Sequence, residues 1–582
     1  MAVKALLVIF FLASLSLNDA VFPRRNKFTE HKNPLKLQSA KLEPSNLASK
    51  PRLPHNLNVF QYDIKIQPYF SAPGVPDNTA MNFTFDGTTT VYFQMLETTT
   101  SVTFDAYNLD IYSLALYSSD GIRQQLGSAN FDNSTHRVTV SPITFLQANQ
   151  NYTVSFGYTG KINSYQNGGL FYSTYKYANG TQGNIYATFF ELGEGARSVY
   201  PCIDDPHFKA LFNLTVVYPK SLVAIANTME DSTVDAGNGY QATRFKLTKP
   251  MSTYLLAFAI GDLVSKSTTT RDGTLVRVWS WRGTEMFLDD AVNTSKTCVE
   301  VMTDFTGIKF PLEKLDHLAV PHFAAGGMEN WGLIVYASKY VFFDPKQDTT
   351  ETRIAGIDVR CHEIAHQWFG DLVTADWWSE IMLHESFAAY FEDYALVQGW
   401  PSQINYLDPA YVGTSIEDGF NSDMNNSHPV ITPDGTFDGV VYAKGSGLFR
   451  MLSQLLTPTI FQSAIKDYLN KYQYSTANHY QLFEAMNEIV STTSLTDWCN
   501  NPLNVTKFME PWLIQPHFPL LTVKYDQSSH TYFVDQQPFI PKDQLYPQGF
   551  SYAWPIPFYA QQIKTGAIKK YWTNRKLYKK MY

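Results

Sequence analysis

HEIAHQWFGDLVTADWWSEIMLHE, residues 362–385, is the stretch on which the reading of the whole chain turns. His362 and His366 lie four positions apart, which on a helix stacks two imidazoles one turn from each other on a single face. Such a pair can grip one ion. Glu385 follows nineteen positions after His366. That gap lets the first helix end near Phe369 and Gly370, a connection run through DLVTADWW, and a second helix return a carboxylate. Catalytic zinc commonly takes three protein ligands and keeps a fourth position for water. His362, His366 and Glu385 are therefore the expected ligands of one Zn2+ per chain. His384 is a weak rival, because neighbours on a helix diverge by about 100°.

Two neutral imidazoles and one carboxylate leave such an ion net positive, which brings a bound water toward a pKa of about 7. A hydroxide of that kind attacks amides. Glu363 cannot share the direction of His362, so it points beside the metal, where it can take the water's proton and pass it to a leaving amine.

The chain around this motif has 582 residues, which at roughly 100–200 residues per domain suggests three or four domains. It is 44% hydrophobic, 17% charged and 15% aromatic, a globular composition that excludes collagenous, coiled-coil and wholly disordered classes. A net charge of -8 supplies no basic field for a phosphate backbone, so nucleic acid is not an expected partner. Residues 1–20 place Lys4 before an apolar run from Ala5 to Leu17. That run is shorter than the ~20 residues a span needs, so it reads as a cleaved secretory signal, with a short signal-anchor as the alternative and no stable transmembrane anchor expected. N-x-S/T sequons at Asn82, Asn133, Asn151, Asn179, Asn213, Asn293, Asn425 and Asn504 suit a secreted, glycosylated extracellular protein. Cys202, Cys298, Cys361 and Cys499 are too dispersed for a disulfide scaffold or a thiolate zinc site. One or two bridges and buried free thiols both stay open.

Periodicity divides the rest. Residues 21–54, basic and Pro-containing, read as a linker or propeptide. From 55 to 261, alternating runs such as TTTVYFQM, HRVTVS and NYTVSFGY predict a β-rich N-terminal domain. From 262 to 515 the apolar spacing lengthens in MFLDDAVNTSKTCVEVMTDF, IAGIDVRCHEIAHQWF and SFAAYFEDYALVQ, predicting a mainly helical catalytic domain that carries the motif. Residues 516–582 return to short strands and end in a basic tail with seven Lys or Arg. The class is multidomain α+β.

These residues together resemble the aminopeptidase N family of zinc metallopeptidases, whose pattern is HExxH followed at this spacing by Glu. Upstream, GGMEN at 326–330 is similar to the loop by which that family recognises a free amino terminus. The resemblance implies that Gly326, Gly327, Met328, Glu329 and Asn330 bind substrate, with Glu329 on the α-ammonium, the glycines along the backbone and Met328 at the first side-chain pocket. Downstream, VVYAKGSG matches a Tyr-x-Lys-Gly stretch, which implies that Tyr442 donates to the oxyanion. ARSVYPCIDDPHFKALF and MSTYLLAFAIGDL look like further family stretches, so the likeness runs from about 55 to 520. It implies a saddle-shaped strand domain, a thermolysin-like catalytic domain, a β-sandwich that is cut short here, and a C-terminal helical domain that is missing.

Some positions depart from the family. Leu192 and Phe190 stand where it places amine-holding polar residues. Glu191 between them faces the other way on a strand. Asp371 and His384 each replace Asn, Ser386 replaces Gly, and Cys361 replaces Ala. The expected function is a secreted zinc aminopeptidase acting on peptides with a free amino terminus. The alternatives are a secreted binding or decoy protein that keeps the fold, and an endopeptidase, which would leave Glu329 without a task.

Overall fold

The computed structural model describes residues 52–76, 79–190, 195–403, 412–433, 435–529, 531–541, 547–561, 566–573 and 577–578. The expected signal segment, nearly all of the linker, Glu191, Leu192 and about half of the basic tail lie outside the described residues.

The first region is built on a seven-stranded sheet. Its strands run, edge to edge, Glu230–Gly237, Tyr240–Phe245, Leu211–Pro219, Leu57–Tyr69, Thr84–Met95, Asn151–Lys161 and Asp110–Ser118. Alternation explains its core, with one irregularity. Leu57 and Val59 point inward, the register slips between Val59 and Gln61, and Tyr62, Ile64 and Ile66 then take over the buried face. A one-residue bulge thus changes which parity is buried. A second sheet of five strands includes Gly169–Lys176 and Gln182–Phe189, and Phe171 and Phe189 from it pack on Phe323, just upstream of GGMEN.

The region that follows is rich in helices, but it opens on a five-stranded sheet that helical periodicity does not anticipate. Its order is Leu263–Thr269, Leu275–Trp281, Lys314–Val320, Leu333–Ala337 and Gly327–Met328. Lys314–Val320 is buried along its whole length, as a parallel strand covered on both faces should be. Two helices, α1 (Asp289–Thr306) and α2 (Thr350–His366), lie against strands of this sheet, and a third, α3 (Glu385–Gly399), packs on both helices. They match the helical runs read from the sequence. Further helices at Gly445–Leu456, Pro458–Tyr472, His479–Ser491 and Val505–Leu513 complete the layer. Beyond them are two small antiparallel sheets, one containing Pro519–Asp526 and Thr531–Pro538, the other Ile556–Gln561 and Ile568–Thr573.

The first region is fastened to the turn after the HExxH helix. Lys209 donates to the carbonyls of Asp371 and Leu372 at 2.8 and 3.0 Å, His207 pairs with Asp376 at 2.6 Å, and Arg52 bridges Asp205 and the Asp376 carbonyl. The ARSVYPCIDDPHFKALF stretch therefore serves as a seam between regions, with Arg197 bonded to Asp204.

One disulfide joins Cys298 to Cys361. Cys202 is a buried free thiol and Cys499 an exposed one, so both readings left open for the cysteines occur in the same chain.

Candidate metal centre and catalytic site

α2 begins at an N-cap in which Thr349 Oγ1 accepts from the Thr352 amide at 3.2 Å, and it ends at His366, immediately after its second imidazole. The chain then reverses at Gly370, whose φ of +139° belongs to a region that favours glycine. A side chain there would also approach His366 Nδ1. After Val373–Ala375 and a 3₁₀ segment over Trp378–Leu383, α3 starts on Glu385 itself. A carboxylate at that helix end is favoured by the macrodipole.

The two helices bring three donor atoms together. His362 Nε2 and His366 Nε2 are 3.1 Å apart, and Glu385 Oε2 lies 3.2 Å from the first and 3.4 Å from the second. Bonds of about 2.0–2.1 Å around a tetrahedral centre imply ligand-to-ligand edges of about 3.3 Å, so these spacings fit zinc. The outer nitrogens fix the tautomers. His362 Nδ1 donates to Glu392 Oε2 at 2.7 Å and His366 Nδ1 donates to the Phe369 carbonyl at 3.0 Å. Both Nε2 atoms are thereby turned toward the shared point. Glu392 was not anticipated. Its position seven residues after Glu385, two turns along one face of α3, was the available signal.

His384, the rival ligand, turns away. Its Nε2 accepts from the Ala375 amide at 2.7 Å, and it is not among the residues whose ligand atoms converge.

The base and the loop sit beside the donors. Ligand atoms of Glu329, Glu363 and His366 lie within 4.8 Å of one another, and all three residues are buried. GGMEN is held there as a sheet edge: Gly327 pairs with Tyr336 and Met328 with Val335. Gln367 donates to the Glu329 carbonyl at 2.7 Å. Gly326 accepts from the Ala337 amide, and Asn330 donates to the Tyr254 carbonyl. Met328 and Asn330 are fully buried.

Tyr442 belongs to a π-helical turn, Val440–Lys444, and its ring stacks on His362 with centroids 5.8 Å apart. Ser386 donates to the Val441 carbonyl at 2.7 Å, tying that turn to the residue after Glu385. Of the amine-pocket departures, Phe190 is buried against Tyr200 in the core, and Leu192 is outside the described residues.

Electrostatics follow from burial among carboxylates. Burial opposes a charge on both imidazoles. The carboxylates outweigh it: Glu385 and Glu392 raise His362, and Glu385 with Glu329 raises His366 to about 9. Burial works against the Glu385 charge as well, yet the two imidazoles hold that carboxyl well below the usual range. Glu363 is pushed up to about 8 by burial, reinforced by Glu329 and Glu385 against the pull of the imidazoles. Glu329 is raised by burial and by Glu385. Asp371 is raised well above the carboxylate range, first by burial and then by Glu329.

Comparison with known proteins gives matches over both halves of this arrangement. Residues 290–512 match the Peptidase family M1 domain and residues 59–255 the Peptidase M1 N-terminal domain. The chain is 36% identical over 567 residues to the putative aminopeptidase-2 of Caenorhabditis elegans, covering 97% of this chain and 30% of that protein. It is 29% identical over 601 residues to an aminopeptidase N of Haemonchus contortus, covering 98% of this chain and 60% of the relative. Against aminopeptidase N of Mus musculus it is 29% identical over 552 residues, 90% of this chain and 55% of the relative. The chain thus spans between 30% and 60% of the length of these three.

Proposed function

The chain belongs to peptidase family M1, and on that premise we propose that it is a zinc-dependent aminopeptidase that hydrolyses the amino-terminal residue from peptides. The observation that carries this reading is the convergence of His362 Nε2, His366 Nε2 and Glu385 Oε2 at spacings suited to zinc, with Glu363 and Glu329 beside them. The aminopeptidase names of the relatives point the same way.

Zinc held by His362, His366 and Glu385 supplies Lewis-acid chemistry, acidifying water and polarising a carbonyl. Glu363 takes the proton from the attacking water and hands it to the leaving nitrogen. Burial raises the affinity of the Glu363 carboxylate for a proton above that of an ordinary carboxylate, which suits a group that must take a proton and then pass it on. Glu329 accepts the substrate's α-ammonium in a buried setting where a charge-assisted bond is strong. An ammonium anchored this close to the reacting centre leaves room for one residue before the scissile bond, which selects the amino-terminal end. Tyr442, stacked on His362, donates its hydroxyl to the carbonyl oxygen as charge develops there.

The reading extends to an extracellular setting. A buried disulfide suits an oxidising compartment, and the sequon asparagines Asn133, Asn151, Asn179, Asn293 and Asn425 are exposed. Among the described residues no helix is long and apolar enough to cross a membrane. The binding-only alternative leaves Glu363 without a task.

The test is zinc stoichiometry together with hydrolysis of aminoacyl reporter substrates, using Glu363→Gln as the control. Zinc-dependent turnover of free but not amino-terminally blocked substrates is expected. Bound zinc with turnover no higher than in Glu363→Gln would defeat the enzyme reading, and cleavage of blocked peptides would favour an endopeptidase.

A further inference from the structure

α1 carries a set of bonds that the chemistry above does not use, and all of them end on the HExxH helix. Asp290, Thr294 and Cys298 recur every four residues on α1 and so line one face. Asp290 accepts from Arg353 at 2.6 Å and from Arg360 at 3.2 Å, and Arg360 also donates to Thr294 Oγ1 at 2.8 Å. The third position of that face, Cys298, is covalently bonded to Cys361. Cys361 is the residue immediately before His362. Cys298, Cys361 and Arg360 are all buried.

The same helix also holds α3. Phe305 packs on Phe391 and Tyr394 with ring centroids 4.7 and 5.0 Å apart. α1 therefore lies across both helices that carry the metal donors, fixed to one by a covalent and ionic seam and to the other by apolar packing.

We propose that the Cys298–Cys361 bridge is a positioning element of the metal site, locking the ligand-bearing half of α2 onto α1 so that His362 keeps its register with Glu385. The inference rests on the zinc reading given above. Three donor atoms spaced 3.1 to 3.4 Å apart tolerate little sliding of one helix past the other. The bridge acts one residue from the donor whose outer nitrogen is already fixed by Glu392. Ion pairs and hydrogen bonds alone would let α2 shift against α1, and a covalent bond at this point removes that freedom.

The experiment compares the bridged chain with a Cys298→Ala/Cys361→Ala variant, both loaded with cobalt(II), whose visible absorption reports ligand geometry. The variant is expected to show an altered cobalt spectrum and to lose metal to a chelator about 10- to 100-fold faster, the scale seen when the partners that orient a ligand are removed. A variant with an unchanged spectrum and release rate, and only a lower melting temperature, would show the bridge to be merely structural and overturn the proposal. Should the variant not fold, the bridged chain is treated with a phosphine reductant while zinc release and helical circular dichroism are followed together. Zinc release ahead of helix loss supports the positioning role; release only with unfolding overturns it. A bridged chain that takes up no metal defeats the zinc reading itself, which separates that failure from a failure of the bridge.

Discussion

Gly327 lies directly against Glu363: a Cβ on Gly327 would fall 2.3 Å from Glu363 Oε1 and 2.5 Å from Cδ. The substrate loop and the proton-transfer residue therefore occupy adjoining space, and only a residue without a side chain lets them do so. Gly327→Ala is expected to displace Glu363 while leaving zinc bound, lowering kcat by about 10²- to 10⁴-fold, the usual worth of a positioned general base. Steady-state kinetics beside metal analysis check this. A normal kcat would mean that the loop yields and the carboxylate does not.

Glu392 orients His362 through a 2.7 Å bond to Nδ1. Glu392→Ala removes the acceptor that fixes the tautomer, and zinc affinity is expected to drop about 10- to 100-fold. Glu392→Gln keeps an oxygen in reach of Nδ1 and should recover part of the loss. Competition titration with a chelator measures both variants, and equal affinities for Glu392→Ala and the parent chain would rule the role out.

How far the fold and site were legible depended on whether pattern or tertiary pairing set each feature. The four-residue spacing of His362 and His366 and the return of Glu385 were readable because a helix turns local spacing into direction. The sheet strand Lys314–Val320 was not, since a strand buried on both faces loses alternation, and it buries two charged residues, Lys314 and Asp316. In the fold they neutralise each other, with Arg277 beside them. The Cys298–Cys361 pair, 63 residues apart, depended on how α1 crosses α2, which no local pattern encodes.

Asp371, where the resembling family has Asn, is buried and neither of its carboxylate oxygens has a partner among the described residues. Burial raises its folded pKa well above 3.8. A carboxyl shifted upward favours the fold only while it is protonated, so its contribution is fully present below about pH 3.8 and is lost as pH rises toward the folded value. Asp371→Asn removes that loss. It is expected to stabilise the chain at pH 7 by about 1–3 kcal/mol, the scale for an unpaired buried polar group, with less gain near pH 4. Denaturant unfolding at the two pH values tests this, and a gain that does not grow with pH would contradict it.

Metal binding and protons compete at the same nitrogens. His366 stands at about 9 in the metal-free fold against an ordinary 6.5, because Glu385 and Glu329 outweigh the opposing effect of burial, and His362 is raised as well. The protonated His366 therefore stabilises the metal-free chain fully below about pH 6.5, and this contribution disappears as pH rises through 9. Zinc requires both imidazoles unprotonated, so its binding must release those protons. Apparent zinc affinity should accordingly climb across the same window, while the melting temperature of the metal-free chain falls. Chelator competition and thermal melts at half-unit steps from pH 6.5 to 9.5 record the two trends together. Zinc affinity that stays flat over this range would show that the imidazoles are already unprotonated at neutral pH, and that Glu385 does not hold them in charged form before the metal arrives.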